Sequence, residues 1–156
     1  MKLDELKKQY AELAHVHKLP NFDKACLYFE LDRIDRDCVF LLREIRKTVL
    51  DKVIETTRLV EMLINPSQAP PMFLHFVKQI SSNEKVLLEQ IYEGFVKLEL
   101  EALENDISYR ADAEAELIRN TFDFWENNVL KIREIISMMK KNFSQTSVKK
   151  EKSYLG

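Results

Sequence analysis

Glycine is almost missing from this chain: Gly94 and Gly156 are the only two among 156 residues. Phosphate-cradling loops need several glycines at fixed offsets, for tight turns and for close approach of backbone amides to the anion. Neither a P-loop nor a dinucleotide-binding fingerprint can be written here, so nucleotide chemistry through those motifs is excluded. Proline is also scarce, at four residues, three of them between positions 65 and 71. All-β folds need turn residues every few positions, so this scarcity disfavours them and favours long helices.

Histidine is limited to positions 15, 17 and 75. A carboxylate-bridged di-iron bundle needs Glu-x-x-His pairs on two helices and a further Glu from each of two others. Glu12 and His15 form one such pair, and the sequence holds no second. His15 and His17 are two apart, about 200° around a helix, and cannot share a metal. His75 sits among Phe73, Leu74 and Phe76, where a half-buried structural histidine is expected. Cysteine is limited to Cys26 and Cys38, without CxxC spacing. On one continuous helix they would stand about 18 Å apart, too far for a disulfide, and such thiols fit a reducing, cytoplasmic setting. Neither has a histidine or a run of cations beside it, and no serine elbow is present. No catalytic, cofactor-binding or metal-ligating residue is assigned, and no cofactor is expected.

Long apolar runs are missing too. The longest uncharged stretch, Met62 to Val77, carries three prolines and cannot span a membrane. The opening residues, MKLDELKKQY, place acids and lysines where a secretory signal needs an apolar core. The net charge of −2 gives no overall pull toward nucleic acid or anionic lipid. Its distribution is uneven. Residues 84–116 hold ten acids against three bases, while Lys140, Lys141, Lys149, Lys150 and Lys152 against Glu151 make the C-terminal end +4. Solvated faces account for most such runs.

What is present is helical periodicity. The composition, 46% hydrophobic and 32% charged, is that of a folded domain with a core of its own. Leu3, Leu6, Tyr10 and Leu13 predict a short helix over 3–17, ended by Pro20. Asp23 is a suitable N-cap for the next helix. From Leu27 the apolar positions run Leu31, Ile34, Cys38, Leu41 and Ile45, then Val49, Val53, Thr56, Val60 and Leu63. Such near-heptad spacing predicts one spine helix of about forty residues, near 60 Å long. NPSQAPP, residues 65–71, stops it, and MFLHFVKQI makes a second short helix after Pro71.

Ser81, Ser82 or Asn83 can cap a third long segment, with Leu88, Ile91, Phe95, Leu98 and Ala102 on its seam. Gly94 lies mid-helix, where it allows another helix to approach closely. The final heptads are Ile118, Phe122, Trp125, Val129, Ile132, Ile136, Met139 and Phe143. A break is expected near 106–111, because an unbroken helix from 83 to 143 would approach 90 Å. Residues 144–156 lose periodicity and read as a flexible basic tail. The fold expected is all-α: an antiparallel bundle of three long helices plus two short ones, no sheet, with 1–143 as a single domain.

The charged stretch FELDRIDRDCVFLLREIRK, residues 29–47, raises the question of a carboxylate site. Glu30, Asp37 and Glu44 recur every seven residues beside the seam. Where a di-iron helix would place histidine, three residues after the Glu, this chain has Arg33 and Lys47. Arg33 with Asp37 and Asp32 with Arg36 add opposite charges four apart, in range for surface pairing. The stretch reads as an ion-paired helix flank. Phe40, beside Val39, and Phe124 lie off the seams and would mark a contact surface if exposed.

The function expected is therefore non-enzymatic: protein–protein interaction or self-association as a homo-oligomer. Two alternatives stand beside it. One is an enzyme or a small-molecule or metal binder using Glu30, Asp37, or Glu12 with His15. The other is nucleic-acid binding through the lysine tail, with Arg43, Arg46 and Lys47 as a second, acid-diluted basic cluster.

Overall fold

The computed structural model describes residues 3–34 and 38–153, and their side chains except at 68, 72 and 145–153. Among the described residues the chain is all-α, with no strand. The helices are α1 (Leu3–His17), α2 (Phe22–Phe29), α3 (Leu41–Ile64), α4 (Pro71–Val77), α5 (Ser82–Ile107) and α6 (Ala111–Ser153). The three long helices, α3, α5 and α6, pack against one another as the sequence predicts. Arg46, near the start of α3, meets Asp106 at the end of α5 and Glu114 at the start of α6. That contact makes α5 antiparallel to both of the others. The break between α5 and α6 falls at residues 108–110, inside the expected window.

The forty-residue spine does not form. Glu30 takes a left-handed conformation (φ 53°), its amide closes α2 on the carbonyl of Cys26, and one 3₁₀ turn follows at Leu31–Arg33. Leu31, Ile34, Leu41 and Ile45 are nevertheless all buried. The periodicity therefore reported burial, not a continuous helix. Breaking the chain here lets α2 turn onto α6, where Phe29 packs on Phe122 and Trp125. Among the described residues the short α-helices are therefore three, not two. A straight 40-residue helix would have left much of its seam without a partner. The rise separating Cys26 from Cys38 on one helix also disappears.

Caps follow side-chain chemistry. Asn21, not Asp23, caps α2, its side-chain oxygen accepting from the amides of Asp23 and Lys24. Asp23 sits in the first turn and pairs with Lys7 at 3.1 Å. Ser81 and Glu84 form a capping box at the start of α5.

The core has two parts. The larger joins α1, α2 and the first half of α3 to Ile91, Phe95 and Leu98 of α5 and Leu117 to Ile132 of α6. The smaller closes the other end, where α4 brings Val77, with Ile80 just after it, against Val60, Leu63, Leu88, Ile135 and Met139. Gly94 admits the ring of Phe124: a Cβ there would overlap the ring tip. On α6 the buried line passes through Ile135 and leaves Ile136 and Phe143 largely exposed. A straight helix drifts from a strict seven-residue repeat, which moves the buried face by one position. Helical backbone continues to Ser153, past the point where the heptads end.

Candidate interaction surface

Among the described residues large apolar side chains are open to solvent in several places, and two groups of them border grooves. The first surrounds the junction of α1, the start of α3 and the α5–α6 loop. Val16, Val39, Phe40 and Tyr109 are exposed there, and with Leu13, Leu41 and Leu42 they line a groove of about 460 Å³. Phe40 is the residue just before α3, so its side chain leaves the helix axis at the rim instead of joining the seam. The guanidinium of Arg43 stacks over Tyr109, 5.7 Å from the ring centroid. The second set lies along α5: Leu100, Leu103 and Ile107 are 60, 59 and 89% exposed. Beside Leu103 a smaller groove of about 190 Å³ runs between α3 and α5, floored by Leu50, Ile54 and Ala102. Phe40 is thus the exposed off-seam aromatic that the sequence allows. Phe124 is not; it packs edge-to-face on Phe95 at 5.3 Å.

Next to these surfaces lies a buried charge cluster. The Arg46 Nε donates to Glu114 Oε2 at 2.9 Å, and both side chains are nearly free of solvent contact, at 5% and 0% exposure. The same guanidinium donates to both carboxylate oxygens of Asp106, which also accepts from Arg43 at 3.3 Å. The Arg46 hydrogen bonds hold the Asp106 carboxyl below the usual carboxylate range. Every charge here has a counter-charge within hydrogen-bond reach, so the cluster clamps three helices together and offers no free acid or base. Its members came from separate parts of the sequence. Glu114 stands four residues before Ile118, on the seam extended toward the helix start, and that was the signal available for it.

The charged stretch resolves into surface pairing. Glu30 accepts from Arg33 at 2.6 Å and Glu44 from Lys47 at 2.8 Å, the pairs the spacing predicts. Glu30 is exposed and not covered by another helix. Asp37, with Arg36, lies outside the described residues. Glu12 and His15 are exposed on α1, and His75, expected to be half-buried, is exposed on α4. Arg43, Arg46 and Lys47 do not form one basic face: Arg46 is internal, and the other two are engaged by Asp106 and Glu44. Of the C-terminal lysines, Lys140 and Lys141 are exposed, and the side chains of Lys149, Lys150 and Lys152 lie outside the described residues. Cys26 donates to Asp32 at 3.3 Å, and partial burial pushes its thiol pKa up, away from the reactive thiolate.

Among the described residues no three His, Cys, Asp or Glu side chains converge on a common metal position. No described helix is long and apolar enough to cross a membrane. No family model, curated protein or solved structure matches this chain.

Proposed function

We propose that this chain is a non-enzymatic interaction module, a helical bundle that acts in the cytoplasm by binding another protein chain or a second copy of itself. The supporting observation is the exposure of large apolar side chains in contiguous sets: Val16, Val39, Phe40 and Tyr109 around one groove, and Leu100, Leu103 and Ile107 along α5. Single exposed apolar residues are ordinary, but grouped ones bordering grooves mark contact sites. Two cysteines without CxxC spacing fit a reducing compartment.

The test is site-specific photo-crosslinking in cells, with a photoreactive residue placed at position 40, 103 or 130 of the full chain. Leu130 is a comparably exposed residue on α6 and serves as the control, at 63% against 63% for Phe40 and 59% for Leu103. Adducts at 40 or 103 and none at 130 are expected. Sedimentation velocity then separates self-association from a different partner. Absence of adducts at both test positions would sink the reading.

A further inference from the structure

The stripe on α5 carries enough detail to name the chemistry of what it binds, given the interaction reading above. Val96, Leu100, Leu103 and Ile107 recur at four-, three- and four-residue steps, within an arc of about 60°. The seam that α5 buries in the bundle, Leu88, Ile91, Phe95, Leu98 and Ala102, lies about 120° round the helix. The helix therefore has two apolar faces, and the bundle covers one. From Leu100 to Ile107 the open face runs about 10 Å, two turns, with the half-buried Val96 one turn further back. A helix has no free backbone groups along its side, so an extended strand gains no ladder from docking there. A second helix gains knobs-into-holes packing from that spacing.

The rim sets the charge of the occupant. On α5 Glu93, Glu99, Glu104 and Asp106 flank the stripe against Lys97, and across the groove α3 adds Asp51 and a Lys47 already paired with Glu44. Asp106 is already engaged by Arg46 and Arg43. Glu99 is not: it lines the groove beside Leu103, and its Oε1 is buried without a hydrogen-bond partner. A buried carboxylate oxygen left unpaired is costly, and a cationic donor from an incoming chain would satisfy it. Two copies meeting α5 to α5 would instead bring these acids face to face. We infer that the α5 stripe is the seat for an amphipathic α-helix of a different protein, whose apolar seam is flanked by lysine and arginine.

Two helical peptides with the same leucine seam test this, one flanked by lysine and the other by glutamate, titrated against the full chain by fluorescence anisotropy. The lysine-flanked peptide should bind at least about 10-fold more tightly at low ionic strength, with the gap closing as salt is added. The double variant Leu100→Gln/Leu103→Gln should weaken it at least about 10-fold, while Leu130→Gln leaves it unchanged. Glu99→Gln should reduce the preference for lysine. Circular dichroism melting shows that each variant is folded. Equal binding of the two peptides, or binding that ignores the stripe substitutions, overturns the inference. So does a sedimenting dimer that Leu103→Gln abolishes, since the occupant is then a second copy. If these fail while crosslinks persist at 40 or 103, only the basic-helix assignment falls. If the crosslinks are missing too, the interaction reading falls with it.

Discussion

Tyr10 lies at 2% exposure, edge-on to Phe22, and its hydroxyl donates to the carbonyl of Pro20 at 2.8 Å. Burial pushes its phenol up to about 12. The folded pKa exceeds the unfolded value near 10, so the contribution to stability is complete below pH 10 and is lost as pH rises toward 12. The loss should be on the order of 2 kcal/mol. Melting temperatures across that range should fall for the native chain, and Tyr10→Phe should remove this component. Below pH 10 the same variant should cost about 1 kcal/mol for the lost hydrogen bond. Gly94 poses the opposite problem, one of space. Alanine normally gains about 1 kcal/mol over glycine inside a helix. Here its methyl would strike the Phe124 ring, which Phe95 hems in. Gly94→Ala should therefore destabilise, by about 1–3 kcal/mol of overpacking less that gain. Adding Phe124→Leu should recover most of the loss in a denaturant titration.

α2 and α3 show how a helix boundary is set against the periodicity. A non-glycine residue in the left-handed region costs about 1–2 kcal/mol, and Glu30 bears that cost to end α2. Glu30→Gly should consequently be neutral or stabilising by up to about 1 kcal/mol, even though it removes the exposed pair with Arg33. In a continuous spine the same change would cost about 1 kcal/mol, so urea unfolding separates the two arrangements. α5 carries apolar residues on two faces, of which the fold covers only the seam. Phe95→Ala, on the buried face, should cost about 3–5 kcal/mol. Leu103→Gln, on the open face, should stay within about 0.5 kcal/mol of the native chain.

Three helices converge on one guanidinium, so the integrity of the bundle end depends on charge. Glu114→Ala leaves the buried Arg46 short of a counter-charge and should cost about 3–5 kcal/mol. Replacing Arg46 and Glu114 together by methionine should cost less than the sum of the single changes, as a double-mutant cycle would show. Asp106 adds a pH dependence. Its pKa is depressed by Arg46, so its contribution is present above the ordinary carboxyl range near 4 and is lost as pH falls through the lower folded value. The melting temperature should drop on acidification below about pH 4, and Asp106→Asn should flatten part of that drop.

Local information determined a good deal of this molecule. The scarcity of glycine and proline, the seams of α5 and the first half of α6, a polar cap within residues 81–83, the break near 106–111 and the niche at Gly94 all follow from a few neighbouring residues. Their physics is propensity, capping and the 3.6-residue turn, which act within one segment. The division of the spine at Glu30 was not legible, because the buried spacing of Leu31, Ile34 and Leu41 is the same for a helix and for a chain that turns back. The partnership of Arg46 with Asp106 and Glu114 was not legible either, since those residues are 60 and 68 positions apart in sequence. That a second apolar stripe on α5 stays open beside the buried seam was likewise decided only when α3 and α6 packed. A helix sequence marks which positions are apolar; the number and placement of its neighbours decide how many of those faces are covered.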